Sequence, residues 1–234
     1  MNDRDSLSEL FGIVSDYTAQ RHLPFTASAL PYIQERFGMN CDVYFRRRLS
    51  VCRMLIDLHL PISAELLDIL LAAALSHSLP GDHVPPDYME IINHLFSGEP
   101  RIAEVLSTLR QSDYADISYY SRLINNRYAL IIRLTERGVL VEKLYEWPAA
   151  DARRYIRETR EYFFPMCIYA KEHYPEFLGA ASILMEKMRN LIAANETLLN
   201  RYEEAESALS NEIMTLREEN AAIRAMILEL KNSN

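Results

Sequence analysis

LLDILLAAALSHSLPGD, residues 66–82, carries no charge between Asp68 and Asp82. A helix this apolar has no face to present to water, so it belongs at the centre of a helical bundle. The Ser-Leu-Pro-Gly run at 78–81 stops the pattern and sets His77, Asp82 and His83 around one helix mouth. His77 is thereby delivered to the middle of the molecule, where the lining of a buried pocket would be found.

Outward from this stretch, apolar residues recur at three- and four-residue spacings almost everywhere, and only 6 glycines interrupt the 234 residues. No segment alternates polar and apolar residues for long, so the fold class is all-α. The periodicity predicts helices over Ser6–Ala19, Thr26–Phe37, Val43–Leu58, Ala64–His77, Pro86–Phe96, Ile102–Gln111, Ser118–Tyr145, Ala149–Phe163 and Met166–His173. Breaks are expected at Pro24, Pro61, the PGDHVPPD loop (80–87), Gly98-Glu99-Pro100, Pro148, Pro165 and Pro175.

With 49% hydrophobic and 25% charged residues, the chain has enough apolar surface for one domain plus an appendage. Its formal charge of -8 gives no electrostatic case for binding nucleic acid or an anionic membrane. The three cysteines, Cys41, Cys52 and Cys167, are odd in number and sit in apolar company, which favours reduced core thiols. The N-terminal MNDRDSLSELFGIV lacks a basic region ahead of its short apolar run and so reads as no signal peptide. No run approaches the roughly 18 apolar residues of a membrane span. A soluble, cytoplasmic protein is the expectation.

After Pro175 the chain changes character, with no further proline and Gly179 the only glycine. A continuous helix to about Leu230 would reach roughly 80 Å, more than a globular domain needs, so part of it should project. Apolar positions run through Leu191, Asn195, Leu198, Tyr202, Ala205 and Leu209. They resume after a four-residue stutter as Ile213, Leu216, Asn220, Ile223, Ile227 and Leu230. In the last segment Ile213, Asn220 and Ile227 fall at heptad position a, and Leu216, Ile223 and Leu230 at d. Branched residues at a, mostly leucine at d and one asparagine at a favour a parallel two-stranded coiled coil. The division expected is a helical domain over 1–190 and a dimerising coiled-coil helix over 191–234. The alternative reading is a long helix folded back on its own bundle.

Three pieces then occur in order: YFRRRLSVCRMLIDLHL from Tyr44, LLAAALSHSLPGD from Leu70, and YYSRLINNRYALIIRLTERGVLVEKL from Tyr119. Together they resemble the HD superfamily of metal phosphohydrolases, most closely the hydrolase domain of RelA/SpoT-type enzymes, which remove pyrophosphate from guanosine alarmones. The similarity spans roughly Tyr44 to Met188. It implies an HD-type helical bundle whose ancestral site holds a divalent ion with two histidines and two aspartates.

Matched onto that pattern, the first histidine becomes Arg47, or Arg48, and His77 keeps the second. The adjacent aspartate becomes Ser78, and the last aspartate becomes Glu136 in RLTER. The family's Glu-Asp pair falls on Gly81 and Asp82, and its asparagine four residues beyond the last aspartate falls on Leu140. The resemblance therefore implies a catalytically degenerate site with no catalytic residue and no cofactor, lined by Arg47, His77, Ser78, Asp82 and Glu136.

A guanidinium at Arg47 could take the place and charge of the missing cation and pair with Glu136. The competing arrangement is a shifted metal site of His77, Asp82, His83 and Glu136, suited to zinc, manganese or iron (Zn, Mn or Fe). The functional expectation is a dimeric binding or regulatory module that keeps a nucleotide or phosphate pocket. Its alternatives are an active metal-dependent phosphohydrolase with substitute ligands and a purely structural coiled-coil adaptor.

Overall fold

A computed structural model of the chain describes residues 6–37, 42–77, 88–110 and 117–232. Among these residues the structure is helical, with no strand. The helices are α1 (Leu7–Arg21), α2 (Pro24–Phe37), α3 (Asp42–Asp57), α4 (Ala64–Ser76), α5 (Tyr88–Leu95), α6 (Pro100–Leu109), α7 (Ile117–Asn125), α8 (Arg127–Val141), α9 (Ala149–Glu158), α10 (Phe164–His173) and α11 (Leu178–Asn232). A π-helical turn at Thr159–Phe163 joins α9 to α10.

Helix α4 lies where its composition puts it: Ser63 caps its first turn, and every residue from Leu67 to Ser76 is buried. It packs against α2, α3 and α6. Its one buried carboxylate has a structural duty. Asp68 accepts hydrogen bonds from the Phe25 and Thr26 amides at 2.9 and 2.7 Å, and from the Thr26 hydroxyl at 2.6 Å. These are amide donors of the first turn of α2 that the helix itself cannot satisfy, so Asp68 caps α2 from a neighbouring helix.

The second buried helix is α8, which packs against α3 and α11 and whose residues from Ala129 to Val141 are almost all buried. The continuous helix expected over Ser118–Tyr145 is two helices. Asn126 adopts an extended conformation, and its side chain accepts a hydrogen bond from Ala129 N at 3.0 Å, capping α8. Asparagine competes with the helical backbone in this way, which periodicity alone does not register.

Pro165, expected as a break, lies inside a continuous run from α9 to α10. The π turn hydrogen-bonds Phe164 N to Thr159 O, and its wider spacing accommodates a proline ring that would collide with an α-helical carbonyl.

The long terminal helix is present, and its first part belongs to the body. Ala181, Leu184, Met188, Ile192, Asn195 and Leu199 are buried, on the face turned toward α8 and α10. Asn195 donates to the Val141 carbonyl at 3.1 Å, so it faces the body and not a partner helix. Further out, Arg160 pairs with Glu196 at 2.6 Å and Arg153 pairs with Glu203 at 2.6 Å. The body thus holds the helix well past the boundary expected at 190. Beyond Leu199 every described side chain is exposed.

Cys52 and Cys167 are buried free thiols, and burial pushes that of Cys167 up to about 12. Cys41 lies outside the described residues. Among the described residues no helix is long and apolar enough to cross a membrane.

Candidate functional site

The site assembles where α3, α4 and α8 meet. The end of α4 supplies His77, buried to 2% exposure. Its Nδ1 lies 2.9 Å from the Ala74 carbonyl. A carbonyl only accepts, so the proton sits on Nδ1 and Nε2 is turned toward the interior. Arg48, fully buried, donates to the His77 carbonyl at 3.1 Å, placing a cation at the negative end of the α4 dipole.

Glu136 of α8 is the centre of the arrangement, at 1% exposure. Arg47 Nη2 donates to its Oε1 at 2.6 Å, and Arg133, one turn earlier on α8, donates to its Oε2. His77 Nε2 lies 3.7 Å from Oε2, beyond hydrogen-bond reach. Burial alone would raise the Glu136 carboxyl, but the charges of Arg133 and Arg47, with the imidazole of His77, hold it well below the usual carboxylate range. The ion pair expected between Arg47 and Glu136 is therefore formed, and a second guanidinium shares the carboxylate. Arg46, Arg47 and Arg48 diverge as neighbouring helical residues must, with Arg47 on Glu136 and Arg48 on the end of α4.

The described residues around Glu136 do not by themselves make a divalent-ion site. Both oxygens of Glu136 are taken by guanidinium groups, and two cations beside the carboxylate would repel a third. Among the described residues no group of three or more histidine, cysteine, aspartate or glutamate side chains stands close enough to hold a metal. Of the alternative ligand set, His77 and Glu136 are together, whereas Asp82 and His83 lie outside the described residues. Ser78 lies outside them too.

Beside Glu136 opens a cavity of about 210 Å³, whose charged lining is Arg47, Arg133, Arg137, Glu136 and Glu158. Trp147, Tyr155 and Phe163 form aromatic walls, and Leu140 stands where the resemblance places a polar residue. Arg137, 5% exposed, has its guanidinium carbon 3.5 Å from the Tyr155 ring centroid and 3.9 Å from that of Phe163. Both rings lie within cation–π range. Its Nη2 stands 2.8 Å from Glu158 Oε2, and the Tyr120 hydroxyl donates to Oε1 of the same carboxylate at 2.6 Å.

Sequence reasoning missed Arg133, Arg137 and Glu158. The signal for the first two was present, because RLTER sets Arg133 one helical turn before both Glu136 and Arg137. Glu158 had no such signal, since only the docking of α9 brings it to α8. Tyr119 and Tyr120 are both buried, with Tyr120 stacked on Tyr162 at 4.3 Å.

Compared with protein-family models, with curated proteins and with solved structures, the chain matches none.

Proposed function

We propose that this chain is a catalytically degenerate HD-type protein that acts as a dimeric binding or regulatory module, with the arginine-lined cavity as its nucleotide or phosphate pocket. The observation that carries this reading is the charge balance of the cavity. Among the described lining residues three guanidinium groups face two carboxylates, a net positive balance that suits an anion. Arg47 replaces the cation of the ancestral chemistry, and Glu136 is retained as the group that holds the arginines in place. Guanidinium forks recognise phosphate oxygens bidentately, and the aromatic walls suit a flat base or ring.

The test is elemental analysis of protein purified without chelator or histidine tag, together with titration of phosphate and of guanosine tetraphosphate. The reading expects substoichiometric manganese, zinc and iron, no hydrolysis, and saturable anion binding that Arg137→Ala weakens at least tenfold. Stoichiometric metal with turnover of guanosine tetraphosphate would establish the phosphohydrolase with substitute ligands instead.

A second reading, the structural adaptor, is favoured by the exposure of the apolar positions of distal α11. Ile213 is 43%, Leu216 56% and Ile227 47% exposed. In that case removal of the helix beyond Glu204 abolishes activity in cells, and His77→Ala leaves it intact.

A further inference from the structure

Distal α11 carries several charges that the helix itself leaves without a counter-ion; Glu218 is one, on the face away from the apolar positions, and Glu212, Arg217, Glu219 and Arg224 are four more, beside them. Arg217 has Ile213, Met214, Asn220 and Ala221 at three and four residues' distance, and Arg224 has Asn220, Ala221, Ile227 and Leu228. Glu212 and Glu219 likewise have only leucine, isoleucine, alanine and threonine at those positions. Solvated helices usually place opposite charges at these spacings, where each pair adds a few tenths of a kcal/mol. Here the charges are set otherwise. With Ile213, Asn220 and Ile227 at a and Leu216 and Ile223 at d, both glutamates fall at g and both arginines at e. All four flank an exposed apolar seam on a part of the helix that none of the described residues covers.

We infer that the occupant of this seam is a second copy of the same chain, aligned parallel and in register. In a parallel pair each g residue faces the e residue of the following heptad on the other helix. Glu212 then meets Arg217 of the second copy, Glu219 meets Arg224, and the two-fold symmetry repeats both pairs. An antiparallel pair would set glutamate against glutamate and arginine against arginine. It would also bury Asn220 against aliphatic side chains instead of against its own symmetry mate, leaving an amide unsatisfied. The charge order and the asparagine independently select the same arrangement, and both are self-complementary, which a different partner would have to imitate. The seam runs roughly 40 Å beyond the body. The two bodies leave it at one end, so their cavities are presented as a pair.

The inference rests on the reading of α11 as a parallel dimerising helix and adds its partner and the charge pairs that fix its register. The experiment is sedimentation equilibrium on the full-length protein and on two charge-reversed variants, E212R/E219R and R217E/R224E. The wild type is expected to be a dimer and each variant alone to dimerise roughly tenfold or more weakly. An equimolar mixture is expected to recover wild-type affinity as a heterodimer, which shows that both variants fold. Asn220→Cys is expected to form an intermolecular disulfide on mild oxidation, because only a parallel, in-register pair brings two a positions together. A dimeric wild type whose variants self-associate unchanged and gain nothing on mixing, or whose Asn220→Cys form does not cross-link, overturns the register and orientation alone. A monomeric wild type overturns the dimerising helix itself.

Discussion

Between Leu178 and Glu203, α11 lays Ala181, Leu184, Met188, Ile192 and Leu199 into the body and is pinned at its margin by Arg153 and Arg160. From Glu204 onward the same unbroken helix has every described side chain exposed, including Leu209, Ile213, Leu216, Ile223 and Ile227. Both halves carry apolar residues at three- and four-residue spacings, and neither contains a helix breaker beyond Gly179. What separates them is the surface available to receive the apolar face. The proximal half meets α8 and α10, whereas the distal half meets none of the other described elements. One helix therefore serves as core over its first half and carries an exposed apolar stripe over its second, and perturbations in the two halves should register in different measurements.

The largest effect is expected in the body. Glu136→Ala strips the shared carboxylate from Arg47 and Arg133, leaving partly buried guanidinium groups uncompensated. The cost should be about 3–5 kcal/mol in chemical unfolding. If the distal helix is an independent association surface, the dimer constant measured on the folded fraction should not move.

The same carboxylate gives the body a pH dependence. Because its folded pKa is depressed, its stabilisation is fully present above the unfolded value of about 4.3. It is lost as pH falls through the lower folded value. Unfolding free energy measured from pH 7 downward should fall in that acid range, and Glu136→Gln should flatten that limb. An unchanged acid limb in the variant would remove the ion cluster as its source.

A matched pair of truncations compares the halves directly. Met188→Ala should cost the body about 2–4 kcal/mol through the cavity it leaves. Leu216→Ala should leave body unfolding unchanged and weaken dimerisation. Equal effects of both on body unfolding would show that the distal half packs on the body after all.

The smallest effect belongs to the border. Arg153 and Glu203 are about half exposed, so Arg153→Ala should cost no more than about 0.5 kcal/mol. It should, however, raise hydrogen exchange in α11 near Glu203.

The candidate site was legible in unequal parts. His77 stood out because it ends an apolar run and Glu136 because the resemblance sets it at the last aspartate, and the complementary charges of Arg47 and Glu136 pointed to a pair before their distance was known. Arg133 and Arg137 were legible from their spacing around Glu136, but the resemblance assigns nothing to them and they were missed. Glu158 could not be found from its neighbours in sequence, because its partners Arg137 and Tyr120 lie on α8 and α7, which only the packing of α9 brings alongside.

By itself the sequence determined the all-helical class, the burial of α4 and the apolar spacing along distal α11. These follow from local periodicity, which a chain carries whatever its neighbours are. Tertiary structure alone decided that Asn126 divides one expected helix, that Pro165 does not, and that α11 leaves the body near Glu203 rather than Leu191. Each of these depends on what a surface meets. An asparagine either caps or continues a helix, a proline is accommodated only if the turn around it can widen, and an apolar stripe is core or interface according to the wall in front of it.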